Sequence, residues 1–164
     1  MKKTDEPGRL NYFAFGSNLD PKQMELRVPK ACFAGKARAR GYRLGFAGQS
    51  LRWGGGVAEM QPQDGSYVEG VIYSLPKDAF ERLDRFEGNY NRKTIEVELE
   101  AGETIDAEVY MLKPRRPNPP SQQYWDVLIA AYEKLGFDAA PLQQAVEGKK
   151  ITPAADLPPP DKIF

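Results

Sequence analysis

Glu87 is the carboxylate whose spacing best suits it to move a proton. Phe80, Leu83 and Glu87 are separated by three and then four residues within a segment, 77 to 87, that reads as a helix, so they share one stripe. Glu87 then projects where the core residues project, in the final turn against the negative end of the helix dipole. Desolvation and the dipole both raise a carboxyl pKa, as a general base working near neutral pH requires. The plainer reading makes it a helix-end glutamate that is solvated or paired with Arg85 or Arg92. Asp84 is its nearest competitor, and its spacing marks it as an exposed or helix-packing residue. Glu59, Glu69, Glu96, Glu98 and Glu108 follow strand alternation and are expected on solvated faces.

A second chemical feature lies near the N-terminus. Tyr12 to Phe15 form an apolar run that ends abruptly in Gly16-Ser17-Asn18-Leu19-Asp20, with Pro21 following. This reads as a strand delivering a polar loop to a helix start, with Asp20 as cap, Pro21 in the first turn and Gln23 placed as in a capping box. Such a loop offers backbone N–H groups to an anion or a developing oxyanion, although a plain turn that binds nothing has the same outline. Ser17 fits a hydrogen-bonding role better than a nucleophilic one. Tyr90 and Tyr124 can each place a hydroxyl in a pocket or serve as edge-of-core aromatics.

Composition removes several chemistries. The chain has no histidine and one cysteine, so Ser-His and Cys-His pairs are impossible, and a zinc site would need carboxylates and a single thiolate. Cys32, among Ala31, Phe33 and Ala34, is expected to be a small buried residue. With 23 basic and 23 acidic residues and no basic block, nucleic acid is not an expected partner. No apolar run has bilayer-spanning length, and the first residues lack the apolar centre of a signal peptide. A cytoplasmic protein without membrane attachment is expected.

The elements that must hold these residues alternate between sheet and helix. One or two strands are expected over 31 to 48, and Gly54-Gly55-Gly56 then interrupts the chain, lacking the lysine and spacing of a phosphate-binding loop. The triplet suits flexibility, a close backbone approach or a lip over a pocket. Strands over 57 to 60 and 68 to 75 are expected to form a hairpin through Gln63-Asp64-Gly65-Ser66, and strands over 94 to 99 and 105 to 110 a second one through Gly102. The proline-rich stretch 113 to 120 is a crossing or linker. Ser121 caps a helix with apolar positions Trp125, Leu128, Ile129, Tyr132 and Leu135, ended by Gly136, and a short helix is expected over 141 to 146. A single domain over 1 to 150 with a proline-rich tail at 151 to 164 follows from the length and pattern.

The pairing of Phe15-Gly16-Ser17-Asn18-Leu19 with Leu83-Asp84-Arg85-Phe86-Glu87-Gly88 and Tyr90, together with Pro119-Pro120-Ser121-Gln122-Gln123-Tyr124, resembles the gamma-glutamylcyclotransferase family, AIG2-like, over roughly Tyr12 to Phe137. The resemblance implies an α+β fold, a compact mixed sheet or small partly closed β-barrel with flanking helices. It matches Glu87 to the catalytic glutamate, Phe15, Gly16, Ser17, Asn18 and Leu19 to the substrate-binding loop, and Tyr90 and Tyr124 to pocket tyrosines. The family loop commonly begins with tyrosine, so the hydroxyl is lost at Phe15, and Asn18 argues against the glutathione-specific branch, which typically carries leucine there. The implied reaction is attack of a substrate α-amine on its own γ-carbonyl, releasing 5-oxoproline and an amino acid or amine, with no metal or other cofactor. The implied partner is a small gamma-glutamyl substrate, bound by a monomer or homodimer. A noncatalytic module of the same fold, binding a small carboxylate or amide, is the alternative.

Overall fold

In the computed structural model, residues 7–86, 88 and 90–147 are described, Phe86 by its backbone alone. Position 87 and the tail at 151–164 lie outside the described residues, as does the end of the expected domain, 148–150.

Five strands close into a barrel in the order β1-β3-β2-β4-β5. β1 (Arg9–Ala14) is short, and its last three residues are buried because it is covered on both sides. It pairs antiparallel with β3 (Val57–Pro76), Tyr12 facing Tyr73, and closes the barrel through a parallel contact of Tyr12 with Glu108 on β5 (Thr104–Leu112). β2 (Cys32–Ala47) runs antiparallel to β3 along nearly its whole length. β4 (Tyr90–Leu99) and β5 make the expected hairpin, with the Gly102 N–H bonded to the Leu99 carbonyl at 2.9 Å. Over 94 to 99 β4 shows the expected single wet face, with Thr94 and Glu96 exposed and Val97 and Leu99 buried, whereas Asn91 to Lys93 before it are all exposed.

The expected hairpin within 57 to 75 is corrected. Val57 to Pro76 is one long strand, because each half pairs with the same neighbour: Leu44 with Met60 and Arg38 with Glu69. Gln63 to Ser66 are taken up where the register shifts between Arg40 and Tyr42, an exposed excursion rather than a reversal.

The helices pack on this barrel by their apolar stripes. α1 (Pro21–Arg27) starts at Asp20, whose carboxylate accepts from the Lys22 N–H at 3.1 Å. The capping-box partner is absent, since the Gln23 amide oxygen accepts instead from Arg52 at 3.0 Å. α2 (Ala79–Phe86) buries Phe80 and Leu83 completely, as the stripe requires. α3 (Gln122–Leu135) is capped by Ser121, whose hydroxyl accepts from the Tyr124 N–H at 3.1 Å, and is closed by Gly136. It buries Tyr124, Leu128 and Tyr132, leaving Trp125, Ile129 and Leu135 half-buried at its flanks. α4 (Ala140–Ala145) sets Leu142 into the core. No helix among the described residues is long and apolar enough to cross a membrane.

Three further expectations about side chains change. Cys32 is exposed at the first position of β2, where its neighbour Phe33 is also half-exposed. Glu59 and Glu69 are buried rather than solvated. Alternation assigns a residue to a face but does not say what covers that face. Glu69 lies near enough to the buried Tyr132 of α3 to add to the desolvation that raises that phenol's pKa, and it accepts from Arg38 at 3.1 Å.

Candidate active site

A cavity of about 570 Å³ opens beside the C-terminal end of β1, a volume typical of small-molecule sites. Its floor is the loop that leaves β1. Ser17 to Leu19 form one 3-10 turn, in which the Leu19 N–H bonds the Gly16 carbonyl at 3.0 Å and the Asp20 N–H bonds the Ser17 carbonyl at 3.1 Å. The N–H groups of Ser17 and Asn18 precede the first bond of that turn and are not used by it. Phe15, Gly16, Ser17 and Asn18 line the cavity. Leu19 does not; its side chain is sealed in the core.

The loop is held by a buried polar network, part of which lines the cavity. The Asn18 side-chain amide donates to the Tyr12 hydroxyl at 2.9 Å, and its oxygen accepts from Arg27 at 3.0 Å. Tyr73 donates its hydroxyl to the Asn18 carbonyl at 2.9 Å. Desolvation, with a smaller contribution from the Asp20 charge, raises the Tyr73 pKa, so this phenol stays a donor. Gly16 makes a close approach: a β-carbon there would lie 2.9 Å from the Tyr124 hydroxyl oxygen, so that ring would have to shift.

Tyr90 and Tyr124 meet on the backbone of one residue, Ala58. The Tyr124 hydroxyl accepts from the Ala58 N–H at 3.0 Å, and the Tyr90 hydroxyl donates to the Ala58 carbonyl at 3.3 Å. Near Ala58, β3 pairs with β2 on one side, whereas β1 joins β3 only from Val71 onward. The two phenols therefore serve backbone groups on the side of β3 that β1 does not reach, and both line the cavity. Tyr124 is packed against Trp53, with ring centroids 5.2 Å apart.

The remaining wall is built from the segment between β2 and β3 and from the proline-rich crossing. The crossing is ordered: the Gly48 N–H bonds the Arg116 carbonyl at 2.9 Å and the Asn118 N–H bonds the Phe46 carbonyl at 3.0 Å. The glycine triplet serves a close approach, because a β-carbon on Gly56 would fall 1.9 Å from the Asn118 carbonyl oxygen. This joint carries Ser50, Arg52, Trp53 and Arg115 to the cavity.

Sequence reasoning missed the arginines. Arg27, Arg52, Arg85 and Arg115 all line the cavity. For Arg27 a weak signal existed, since it follows Met24 by three residues and both are buried on the inner face of α1. The others come from separate stretches that only the closed fold unites. Asp84, the competitor carboxylate, accepts from the Tyr110 hydroxyl at 2.6 Å, and this bond, with burial as the larger cause, raises the Tyr110 pKa. Tyr110 lines the cavity and ties β5 to α2 just before position 87. Among the described residues no cluster of histidine, cysteine, aspartate and glutamate could hold a metal ion.

Comparison with known proteins agrees with this architecture. The family described as gamma-glutamyl cyclotransferase, AIG2-like, matches residues 12–127. Gamma-glutamylcyclotransferase of Mus musculus is 32% identical over 134 residues, covering 77% of this chain and 71% of the mouse protein. The Homo sapiens protein of the same name is 30% identical over 150 residues, covering 87% of this chain and 78% of the human protein. A solved structure named gamma-glutamyl cyclotransferase superposes with a TM-score of 0.80 at 27% identity, covering 88% of this chain and 89% of that one. YkqA from Bacillus subtilis, at 22% identity and a TM-score of 0.71, shares the fold over 92% of this chain and 58% of its own. The chain belongs to the gamma-glutamyl cyclotransferase, AIG2-like family of enzymes.

Proposed function

We propose that the cavity binds a small gamma-glutamyl compound and closes its glutamyl unit to 5-oxoproline, releasing an amino acid or amine. The observation that carries this reading is convergence: in a chain of this family, the Phe15–Asn18 loop, Tyr90 and Tyr124 line one cavity of substrate size.

Glu87 is assigned as the base. Arg85 and Tyr90, which flank it in sequence, both line the cavity, and the helix leading to it buries the stripe that it continues. In the proposed reaction Glu87 takes a proton from the substrate α-ammonium, and the freed amine attacks the γ-carbonyl carbon. A carbon–nitrogen bond forms in the ring, the proton on Glu87 passes to the departing nitrogen as its bond to the γ-carbon breaks, and the ring nitrogen gives its second proton back to Glu87, which passes it to the released amine or to solvent. Holding the glutamyl chain folded supplies much of the rate, because the reaction is intramolecular. The N–H groups of Ser17 and Asn18 hold an anion, either the α-carboxylate or the developing oxyanion.

The test is release of 5-oxoproline from a panel of gamma-glutamyl compounds in heavy-oxygen water. We expect unlabelled 5-oxoproline, and no turnover of the N-acetyl derivatives, whose nitrogen lacks a nucleophilic lone pair. Labelled glutamate as the first product would overturn cyclisation in favour of hydrolysis. Tight binding without either product would instead establish a noncatalytic binding module.

A further inference from the structure

The last turn of α2 leads directly to Glu87, and what holds that turn bears on the base assigned above, on which this inference rests. α2 has eight residues, and a helix so short has few internal bonds to keep its end from fraying. Phe80 and Leu83 fix its core-facing side. They leave the placement of its final turn to other contacts.

Side chains of the β4–β5 hairpin supply those contacts. Arg92 and Tyr110 are opposed across the hairpin, and both reach Asp84 of α2. Tyr110 donates its hydroxyl to the Asp84 carboxylate at 2.6 Å, the length of a charge-assisted bond. The Arg92 guanidinium stands off at 3.9 Å, with both members of that pair partly in water, and its carbon lies 4.8 Å from the Phe80 ring centre. Tyr110 is therefore the stronger tie. Its ring is buried and packs edge-on against Tyr12 with centroids 5.9 Å apart, so the hydroxyl is presented from a fixed place. Beyond position 87, the Gly88 carbonyl accepts from the Lys113 ammonium at 3.4 Å, one residue past the end of β5. In the chain, Glu87 thus falls between two anchored residues, Asp84 three before it and Gly88 one after.

Tyr110 lines the cavity, yet its one proton is already given to Asp84, which makes a direct gift to a ligand the poorer use of it. The Asp84 side chain is 46% exposed, so water can replace the hydroxyl if that is removed, and loss of the tie falls on geometry more than on stability. Geometry matters here because a base must stand within about 3 Å of the proton it takes, and a displacement of about 1 Å can cost about a hundredfold in rate.

We propose that Tyr110 is a positioning residue for the base: through its bond to Asp84 it holds the last turn of α2 so that Glu87 meets the substrate α-ammonium. Tyr110 gives up no proton in the reaction.

The experiment separates rate from binding. Release of 5-oxoproline is measured for the wild type, Tyr110→Phe, Asp84→Ala and Asp84→Asn with gamma-glutamyl-alanine, or with gamma-glutamyl-butylamine should the wild type leave the first intact. Calorimetry then measures binding of the same compound to Glu87→Gln, alone and combined with Tyr110→Phe or Asp84→Ala, where turnover does not disturb the reading. We expect Tyr110→Phe and Asp84→Ala each to lower kcat by about tenfold to a hundredfold. Asp84→Asn, whose amide oxygen can still accept from Tyr110, should recover most of what alanine loses. The Glu87→Gln proteins should bind within about twofold of one another, because the base's placement is not what holds the substrate. A kcat for Tyr110→Phe within about twofold of wild type, or a loss of binding as large as the loss of kcat, would overturn the inference while leaving the cyclisation standing. Equal losses in Asp84→Asn and Asp84→Ala would overturn it as well, since charge and not the bond would then be the cause. Asp84 is partly exposed, so its variants keep the test open should Tyr110→Phe fold poorly. If the wild type yields no 5-oxoproline from either compound, or Glu87→Gln is fully active, the reading beneath the inference fails and the inference fails with it.

Discussion

The cavity has two walls that are built on opposite principles. The floor, from Phe15 to Asn18, is locked: Asn18 spends both ends of its side chain and its carbonyl on Tyr12, Arg27 and Tyr73, and Gly16 lies against the Tyr124 hydroxyl. The other wall carries Arg115 exposed and Arg52 half-buried, the latter on a loop tied through backbone bonds to the crossing. The contrast teaches that one cavity can be held fixed on one side by side chains bonded to a loop, while another side carries its charge on longer and less enclosed side chains.

The largest effect should come from the reaction itself. Glu87→Gln keeps size and polarity but cannot accept the ammonium proton, so kcat should fall by about two to four powers of ten. Calorimetry should still show substrate bound, because both walls are intact. Near-normal turnover would remove Glu87 from the mechanism.

The next test contrasts the walls by stability. Asn18→Ala strips the Tyr12 and Arg27 bonds and leaves a buried guanidinium short of an acceptor, which should cost about 2–4 kcal/mol in urea unfolding. Arg115→Gln, on the exposed side, should stay within about 0.5 kcal/mol of wild type. Similar losses at both sites would erase the distinction.

How the two walls arise explains what the sequence discloses. Local signals are readable: Asp20 and Ser121 cap the helices that they precede, Gly136 ends α3, and Phe80 with Leu83 turn α2 inward. The resemblance brings Phe15, Gly16, Ser17, Asn18, Leu19, Tyr90 and Tyr124 forward, and all of these but the core residue Leu19 line the cavity. The charged wall is not readable, because Arg52, Arg85 and Arg115 lie in three stretches joined only when the barrel closes. The same non-locality hides the continuity of β3, whose excursion at Gln63 to Ser66 has the composition of a hairpin turn, and the burial of Glu69 beneath α3. Position 87 lies outside the described residues, so its role rests on sequence pattern and its neighbours.

A titration sharpens the comparison further. Tyr73, bonded to the Asn18 carbonyl, has its pKa raised by desolvation first and by Asp20 second. A group whose folded pKa is raised keeps its full stabilisation below the unfolded value, about 10 for tyrosine, and loses it as pH rises toward the folded value. Above about pH 10 this one phenol should therefore cost about 1.4 kcal/mol of stability per pH unit. In Tyr73→Phe that share of the slope should vanish. Unfolding free energies of both proteins from pH 8 to 12 check the difference, and identical slopes would show that Tyr73 is not held neutral under the floor.

The smallest structural effect, and the most direct probe of where the walls meet, belongs to Phe15. Its ring is nearly covered, stacks on Phe13 with centroids 6.2 Å apart, and lines the cavity. Phe15→Tyr preserves that packing and adds one hydroxyl, so unfolding stability should move by less than about 1 kcal/mol. A new hydroxyl facing the ligand changes which substrate group finds a partner and leaves an unmatched group penalised, so kcat/KM on gamma-glutamyl compounds should shift severalfold. The direction discriminates between two positions. If the ring faces the glutamyl unit, every substrate changes by the same factor, because that unit is shared. If it faces the departing unit, the ratio between compounds that differ in that unit changes and the floor ends short of Phe15. No change in any value would place the added hydroxyl outside the ligand's reach, and the locked floor would then begin at Gly16.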